Sequence, residues 1–233
     1  MKTISVIISS FGELKWERLG RRRAYLSVAD QGFYEVLVLH EPDMTLAEVR
    51  NANAARATGD YLCHLDADDQ LAPGFASAMQ AALDGLDGDH LLTPAIQYGD
   101  GKKFSTPRFW PEIDIKTGNW MVVGTLVPRP LLERVGGWVE YELYEDWSTW
   151  ARCMEAGAPV IQIPEAHYMA WVSAGSRNRG KSRKTYLYWR QKIGSDLWPD
   201  LYLSPTEEED ATFELATPLR FREALQGGES CAY

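Results

Sequence analysis

The segment Leu65-Asp66-Ala67-Asp68-Asp69 puts three carboxylates within four residues. Like charges this close disfavour one another, and a folded chain tolerates them most easily when a cation sits among them. On an extended segment alternate side chains point the same way, so Asp66 and Asp68 share a face. Such hard oxygen ligands suit a divalent cation that completes its shell with phosphate oxygens. Asp is also a favoured N-cap, so Asp69 alone reads as the cap of a helix expected to open near Pro73. A second acidic pair, Glu145-Asp146, precedes the Trp-rich stretch Trp147-Ser148-Thr149-Trp150. A carboxylate at a helix start beneath a sheet edge is suited to act as general base. The plainer reading is a favourable charge at the positive end of the helix dipole.

These residues need elements to hold them. Thr3 to Ser9, Glu35 to Leu39 and Tyr61 to Leu65 are short apolar runs that read as buried strands. Between them, residues 14 to 30 and Leu46 to Thr58 carry helix-compatible spacing, with Gly59 as a stop signal. A further helix is expected from Pro73 to about Leu86. Short apolar strands alternating with helices imply a parallel sheet covered on both faces. Ligands on such sheets bind beyond the carboxyl ends of the strands, where the acidic segment lies. Later elements are expected as strands over Leu91 to Tyr98, Met121 to Val127, Val160 to Ile163 and His167 to Val172. Helices are expected over Pro130 to Val135 and Trp147 to Glu155, and residues 99 to 119 read as loop or short hairpin.

The chain has 233 residues, 45% apolar and 24% charged, with a formal net charge of -9. It is too apolar and aromatic for disorder, and no run reaches the ~18 to 20 apolar residues of a membrane span. The opening run, Met1 to Phe11, reads as a strand and not as a secretion signal. Cys63, Cys153 and Cys231 are odd in number and far apart, so the expectation is a reducing, cytoplasmic setting without disulfides or a zinc site. The acidic balance argues against broad nucleic-acid binding, because phosphate affinity comes from clustered Lys and Arg. Yet residues 177 to 192 hold seven Lys/Arg and no acid, interleaved with Tyr186, Tyr188 and Trp189. That segment reads as a solvated amphipathic helix, as a lid whose Arg177 or Lys181 meets a diphosphate, or as a site for an anionic acceptor.

The order TISVIISSFGE, EVLVL, RNANAARATGDYLCHLDADD, GGW, EDW and a terminal SRN resembles the family 2 glycosyltransferases of the GT-A fold. The resemblance covers about residues 3 to 178, and its most specific stretch is RN…A.GDY…LDADD. It implies an α/β fold: a Rossmann-like, mostly parallel central sheet flanked by helices. Residues 1–178 would form the core, with 179–233 as a C-terminal helical extension and tail packed on the same domain. It also implies an inverting transfer from a nucleotide-diphosphate sugar, a UDP-sugar foremost, with manganese or magnesium. By position, Asp68 would bind the metal, and Asp66 would contact it or the donor ribose. Asp146 would be the general base, with Glu145 beside the substrate. Ser9 would line the nucleotide pocket, Glu41 would face the nucleobase, and Arg50 and Asn51 would sit beside the nucleotide. Arg177 would contact the donor diphosphate. Trp110 and Trp138 could stack on a sugar or base, and Asn119-Trp120 and Gly124-Thr125 fall where the family places acceptor-side residues.

The chain departs from the family pattern in two places. His40-Glu41 replaces the usual Asp-Asp after the second strand, and Trp171 stands where many members carry a metal-ligating His. His167, four residues away, reads as a structural histidine. On this reading the acceptor stays open among a cell-envelope glycan, a protein, a small metabolite and a modified nucleic-acid base. Two other classes are weighed beside it: a non-catalytic nucleotide-sugar or glycan-binding protein on the same fold, and a phosphatase with an Asp-x-Asp nucleophile. The phosphatase motif normally follows the first strand of its domain, whereas here it follows the third.

Overall fold

A computed structural model describes residues 1–99, 103–110, 112–172 and 183–202. Its centre is a mixed seven-stranded sheet in the order β2-β1-β3-β6-β5-β7-β4. The strands are β1 Ile4–Phe11, β2 Glu35–Glu41, β3 Tyr61–Asp66, β4 Gln70–Leu71, β5 Leu91–Gly99, β6 Leu126–Pro128 and β7 Val160–Trp171. The long ladders, β1 with β2, β1 with β3 and β5 with β7, are parallel. The antiparallel ones, through β6 and β4, involve only a few residues each. The sheet is therefore mostly parallel, as the apolar runs imply. Ile4, Val6, Ile7 and Ile8 of β1 are all buried, the signature of a strand covered on both faces.

The helices are α1 Leu14–Arg22, α2 Ala24–Val28, α3 Leu46–Ala54, α4 Phe75–Asp84, α5 Arg129–Arg134, α6 Glu145–Glu155 and α7 Arg183–Leu197. The single helix expected over 14 to 30 is broken at Arg23 into α1 and α2. α3 begins with a capping box, in which Thr45 and Glu48 satisfy each other's backbone N–H groups. It ends four residues earlier than the sequence suggests. The Glu35 carboxylate accepts from the backbone of Thr58 and Gly59, which turns the chain into β3 instead of continuing the helix.

The middle of the chain differs most from expectation. Of Met121 to Val127, only the last two residues join β6. Asn119 Oδ1 accepts from Met121 N, and Thr125 N donates to Val122 O, so the segment bends through the core as a buried turn. The two strands expected near residues 160 and 170 are one strand, β7. Its pairing jumps from Pro94 opposite Ile163 to Ala95 opposite His167, leaving Pro164 to Ala166 as a bulge. α6 starts at Glu145, not Trp147, so both acids lie in its first turn. α7 packs its Tyr186 against Trp147 of α6, with Ile193 fully buried.

Candidate active site

Parallel pairing brings the carboxyl ends of β1, β2 and β3 to one sheet edge. In register, Ser9 lies opposite Asp66, and Phe11 opposite Glu41. Ser9 is buried and its Oγ accepts from Asn53 Nδ2 at 3.3 Å. Glu41 is half-buried at the end of β2.

The organising residue is Arg50 of α3, whose side chain is only 2% exposed. Its guanidinium donates to Asp66 Oδ1 at 2.6 Å and to Glu145 Oε1 at 2.9 Å. Burial works against its charge, but Asp66 and Glu145 outweigh burial and hold it protonated. The same guanidinium lies over the Trp138 ring, 4.3 Å from its centre. Trp138 Nε1 donates to His64 Nε2 at 3.1 Å. Burial, with Arg50 nearby, keeps the His64 imidazole neutral, as an acceptor requires. Trp138 is thus buried beneath Arg50 and presents no open ring face to a sugar, because the guanidinium occupies that face.

Asn51, the next residue of α3, is spent on the Gly136-Gly137-Trp138 turn. Its Nδ2 donates to Trp138 O and its Oδ1 accepts from Trp138 N, at 2.9 and 2.8 Å. Gly137 has φ +71°, and a Cβ there would stand 2.5 Å from Asn51 Oδ1. The turn therefore needs glycine for both conformation and space.

Asp146 follows Glu145 in the first turn of α6, so Arg50 draws it to the end of β3. Its Oδ1 accepts from Trp147 N and its Oδ2 from Asn119 Nδ2, each at 2.9 Å. Burial, then the neighbouring Glu145, pushes its carboxyl up to about 7, against the lowering pull of Trp147 N–H and Arg50. A carboxylate poised near neutrality can accept a proton and release it again. α6 is entered through Tyr144 at φ +64°, the one non-glycine among the described residues in the left-handed region. Backbone strain of this kind persists only where surrounding packing imposes it.

The acidic turn after β3 is braced from behind. Asp69 is buried, its two oxygens accepting from the Tyr168 hydroxyl and Trp171 N, each at 2.7 Å. Burial, with Asp68 and Asp66 close by, raises its carboxyl well above the ordinary range. It is not a helix cap; α4 begins after Gly74. Arg23, at the break between α1 and α2, donates to Asp68 O at 2.7 Å and covers the Trp171 ring at 4.4 Å. Trp171 therefore buttresses the turn where a ligand His was looked for, and His167 bonds the Pro164 carbonyl within the bulge. The crowding of three aspartates is thus relieved largely by protein groups: Arg50 for Asp66, Tyr168 and Trp171 for Asp69. Among the described residues no group of three or more His, Cys, Asp or Glu is arranged to hold a metal ion. Asp68 and Asp66 stay half-buried at the strand ends. Trp110 is half-buried, with Arg108 over its ring and Tyr98 beside it. Arg177 and Lys181 lie outside the described residues. Arg23, His64 and Tyr168 were not singled out from sequence, because each acts through a partner more than 40 residues away.

A family model described as Glycosyl transferase family 2 matches residues 20–129, the span that holds Arg50, Asn51, Asp66 and Asp68. Over that stretch, just under half of its length, the chain matches glycosyl transferase family 2. Among solved structures, this glycosyltransferase resembles S. aureus TarS residues 1–349 in complex with UDP-GlcNAc. The TM-score is 0.62 at 14% identity, over 96% of this chain and 78% of that one. The same fragment with UDP gives 0.55 at 14%, over 97% and 78%. TarS in a longer form gives 0.55 at 16%, over 95% of this chain and 47% of the other. These likenesses show the fold, a GT-A type architecture. No curated protein matches this glycosyltransferase. Glu145 and Asp146 lie beyond the family match, so their role rests on the geometry at Arg50.

Proposed function

We propose that this glycosyltransferase moves a sugar from a UDP-sugar to an acceptor hydroxyl with inversion, Asp146 serving as the base. The observation that carries this is the buried Arg50, which joins Asp66 after β3 to Glu145 on α6. That link sets a near-neutral carboxylate beside the strand ends where a nucleotide diphosphate would lie. Asp146 takes the proton as the acceptor oxygen attacks the anomeric carbon. The bond from that carbon to the diphosphate breaks, and its electron pair leaves with the diphosphate. The structural relatives with UDP and UDP-GlcNAc support a uridine donor.

A divalent cation, manganese or magnesium, suits the donor set at the strand end. Asp68 and Asp66 offer hard oxygens there, and with Asp66 committed to Arg50 the remaining ligands would be diphosphate and water. When bound, such an ion supplies Lewis-acid stabilisation of the leaving diphosphate. Ser9 and Glu41, at the ends of β1 and β2, line the nucleotide side on this reading. On this reading residues 1–178 carry the catalysis, and of the later residues the described helix α7 packs on the same domain through Tyr186. Among the described residues no helix is long and apolar enough to cross a membrane. The buried free thiols Cys63 and Cys153 accord with a reducing, cytoplasmic setting. Thermal unfolding with a panel of nucleotide sugars, with and without manganese, tests the donor assignment. A rise in melting temperature confined to UDP-sugars supports it, and no rise with any UDP-sugar contradicts it.

A further inference from the structure

Three consecutive backbone carbonyls ahead of Asn119 are gripped by aromatic donors. Ile115 O accepts from Trp147 Nε1 at 2.6 Å, Lys116 O from the Tyr202 hydroxyl, and Thr117 O from the Tyr186 hydroxyl at 3.3 Å. Tyr186 belongs to α7, and Tyr202 follows that helix. The Tyr186 ring lies parallel to the Trp147 indole, 6.1 Å away at 8°, and edge-on to Tyr144 at 5.6 Å. The gripped segment leads directly to Asn119, whose amide splits its two ends. Oδ1 accepts from Met121 N at 3.0 Å, and Nδ2 donates to Asp146 Oδ2 at 2.9 Å. Trp147, the residue after Asp146, belongs to the same aromatic block. Both ends of the Asn119–Asp146 bond therefore hang on one rigid unit.

We propose that Asn119 is the positioning residue of the base Asp146, and that α7 sets Asn119 in place through Tyr186 and Tyr202. This rests on the reading of Asp146 as base. The charged groups facing Asp146 are Glu145 on its own helix, Arg50 of α3 and Asp66 of β3. Asn119 is the neutral donor in that company. Its N–H fixes the plane of the carboxylate and favours the ionised form that accepts a proton. Of the sixteen residues 177 to 192, for which a solvated face is one of the three readings from charge, the part that forms α7 thus has an aromatic side that reaches the site.

The test follows the Asp146 carboxyl by 13C NMR across pH, its signal assigned by loss in Asp146→Asn. UDP release from UDP-GlcNAc, with water as acceptor, is measured beside it. Asn119→Ala should raise the Asp146 midpoint by about one pH unit, the scale of one hydrogen bond to a charged group. UDP release at pH 7 should fall about fivefold and recover at higher pH, which general loosening of the fold would not produce. Isosteric Asn119→Asp, available should the alanine variant not fold, should raise the midpoint further by placing a carboxyl beside a carboxyl. Tyr186→Phe keeps the ring stack, loses the bond to Thr117 O, and should move the midpoint in the same direction by less. An unmoved midpoint in the Asn119 variants overturns the positioning role, and an unmoved midpoint in Tyr186→Phe overturns the role of α7. UDP release that survives in Asp146→Asn instead overturns the base assignment on which the proposal rests.

Discussion

Arg50→Ala is the perturbation for which the structure gives the clearest magnitude. The guanidinium is 2% exposed and bonded to two carboxylates, with Glu145 8% and Asp66 33% exposed. Removing the cation strands a buried Glu145 charge and a half-buried Asp66 charge. Breaking one partner out of a buried ion pair costs about 3–5 kcal/mol. For a domain of this size, each kcal/mol lowers the melting temperature by about 2–4 °C, so a fall on the order of 10 °C is expected. Calorimetry or circular dichroism measures it. Adding Glu145→Gln to Arg50→Ala should restore stability, because it neutralises the stranded charge. A positive coupling of about 0.5–3 kcal/mol in the double-mutant cycle is the matching expectation. A fall below about 3 °C, or a Glu145→Gln change that adds its own full cost on top, would refute the role of Arg50 as the clasp between β3 and α6.

Further expectations follow from the same cluster. Asp146 carries a proton to about pH 7 when folded but only to the ordinary carboxylate value of 3.8 when unfolded. The folded state therefore holds the extra proton between these values, and stability should fall as pH rises through about 4 to 7. Asp146→Asn should flatten that slope in pH-dependent thermal unfolding; Asp69, raised in the same direction, leaves a residual slope. An unchanged slope would remove Asp146 from the account. Asp68→Asn should abolish the manganese-dependent part of UDP binding by calorimetry, and an unchanged manganese-dependent affinity would exclude it as a ligand.

The parallel core was legible in the sequence because its strands are buried on both faces, so β1 and β3 read as unbroken apolar runs before any contact is known. The same runs end on Ser9 and on Leu65, directly before Asp66, which marks the strand-end edge where these residues meet. The turn from Met121 to Thr125 was not legible. Its buried Met121, Val122 and Val123 look like a strand, whereas the Asn119 side chain on Met121 N and the Thr125 N to Val122 O bond bend them. The crowded aspartates pointed to a cation, and one cation present is Arg50, an assignment that local sequence hides because Glu145 lies 95 residues away. Trp138 shows the converse limit. Aromatic type suggests stacking on a ligand, whereas which face is open depends on a guanidinium brought from another helix. In α7 charge patterning described the exposed side, with Lys184 and Tyr188 outward, and missed the buried side at Tyr186 and Ile193.

The most direct measurement compares Asp146→Asn with the unaltered protein in two assays: UDP binding by calorimetry, and UDP release from UDP-GlcNAc in the presence of manganese. Asp146 is assigned to proton transfer and not to holding the nucleotide, so affinity should stay within about twofold while release falls by about 100-fold or more. Release at the unaltered rate, or loss of UDP affinity in step with activity, would contradict Asp146 as the base.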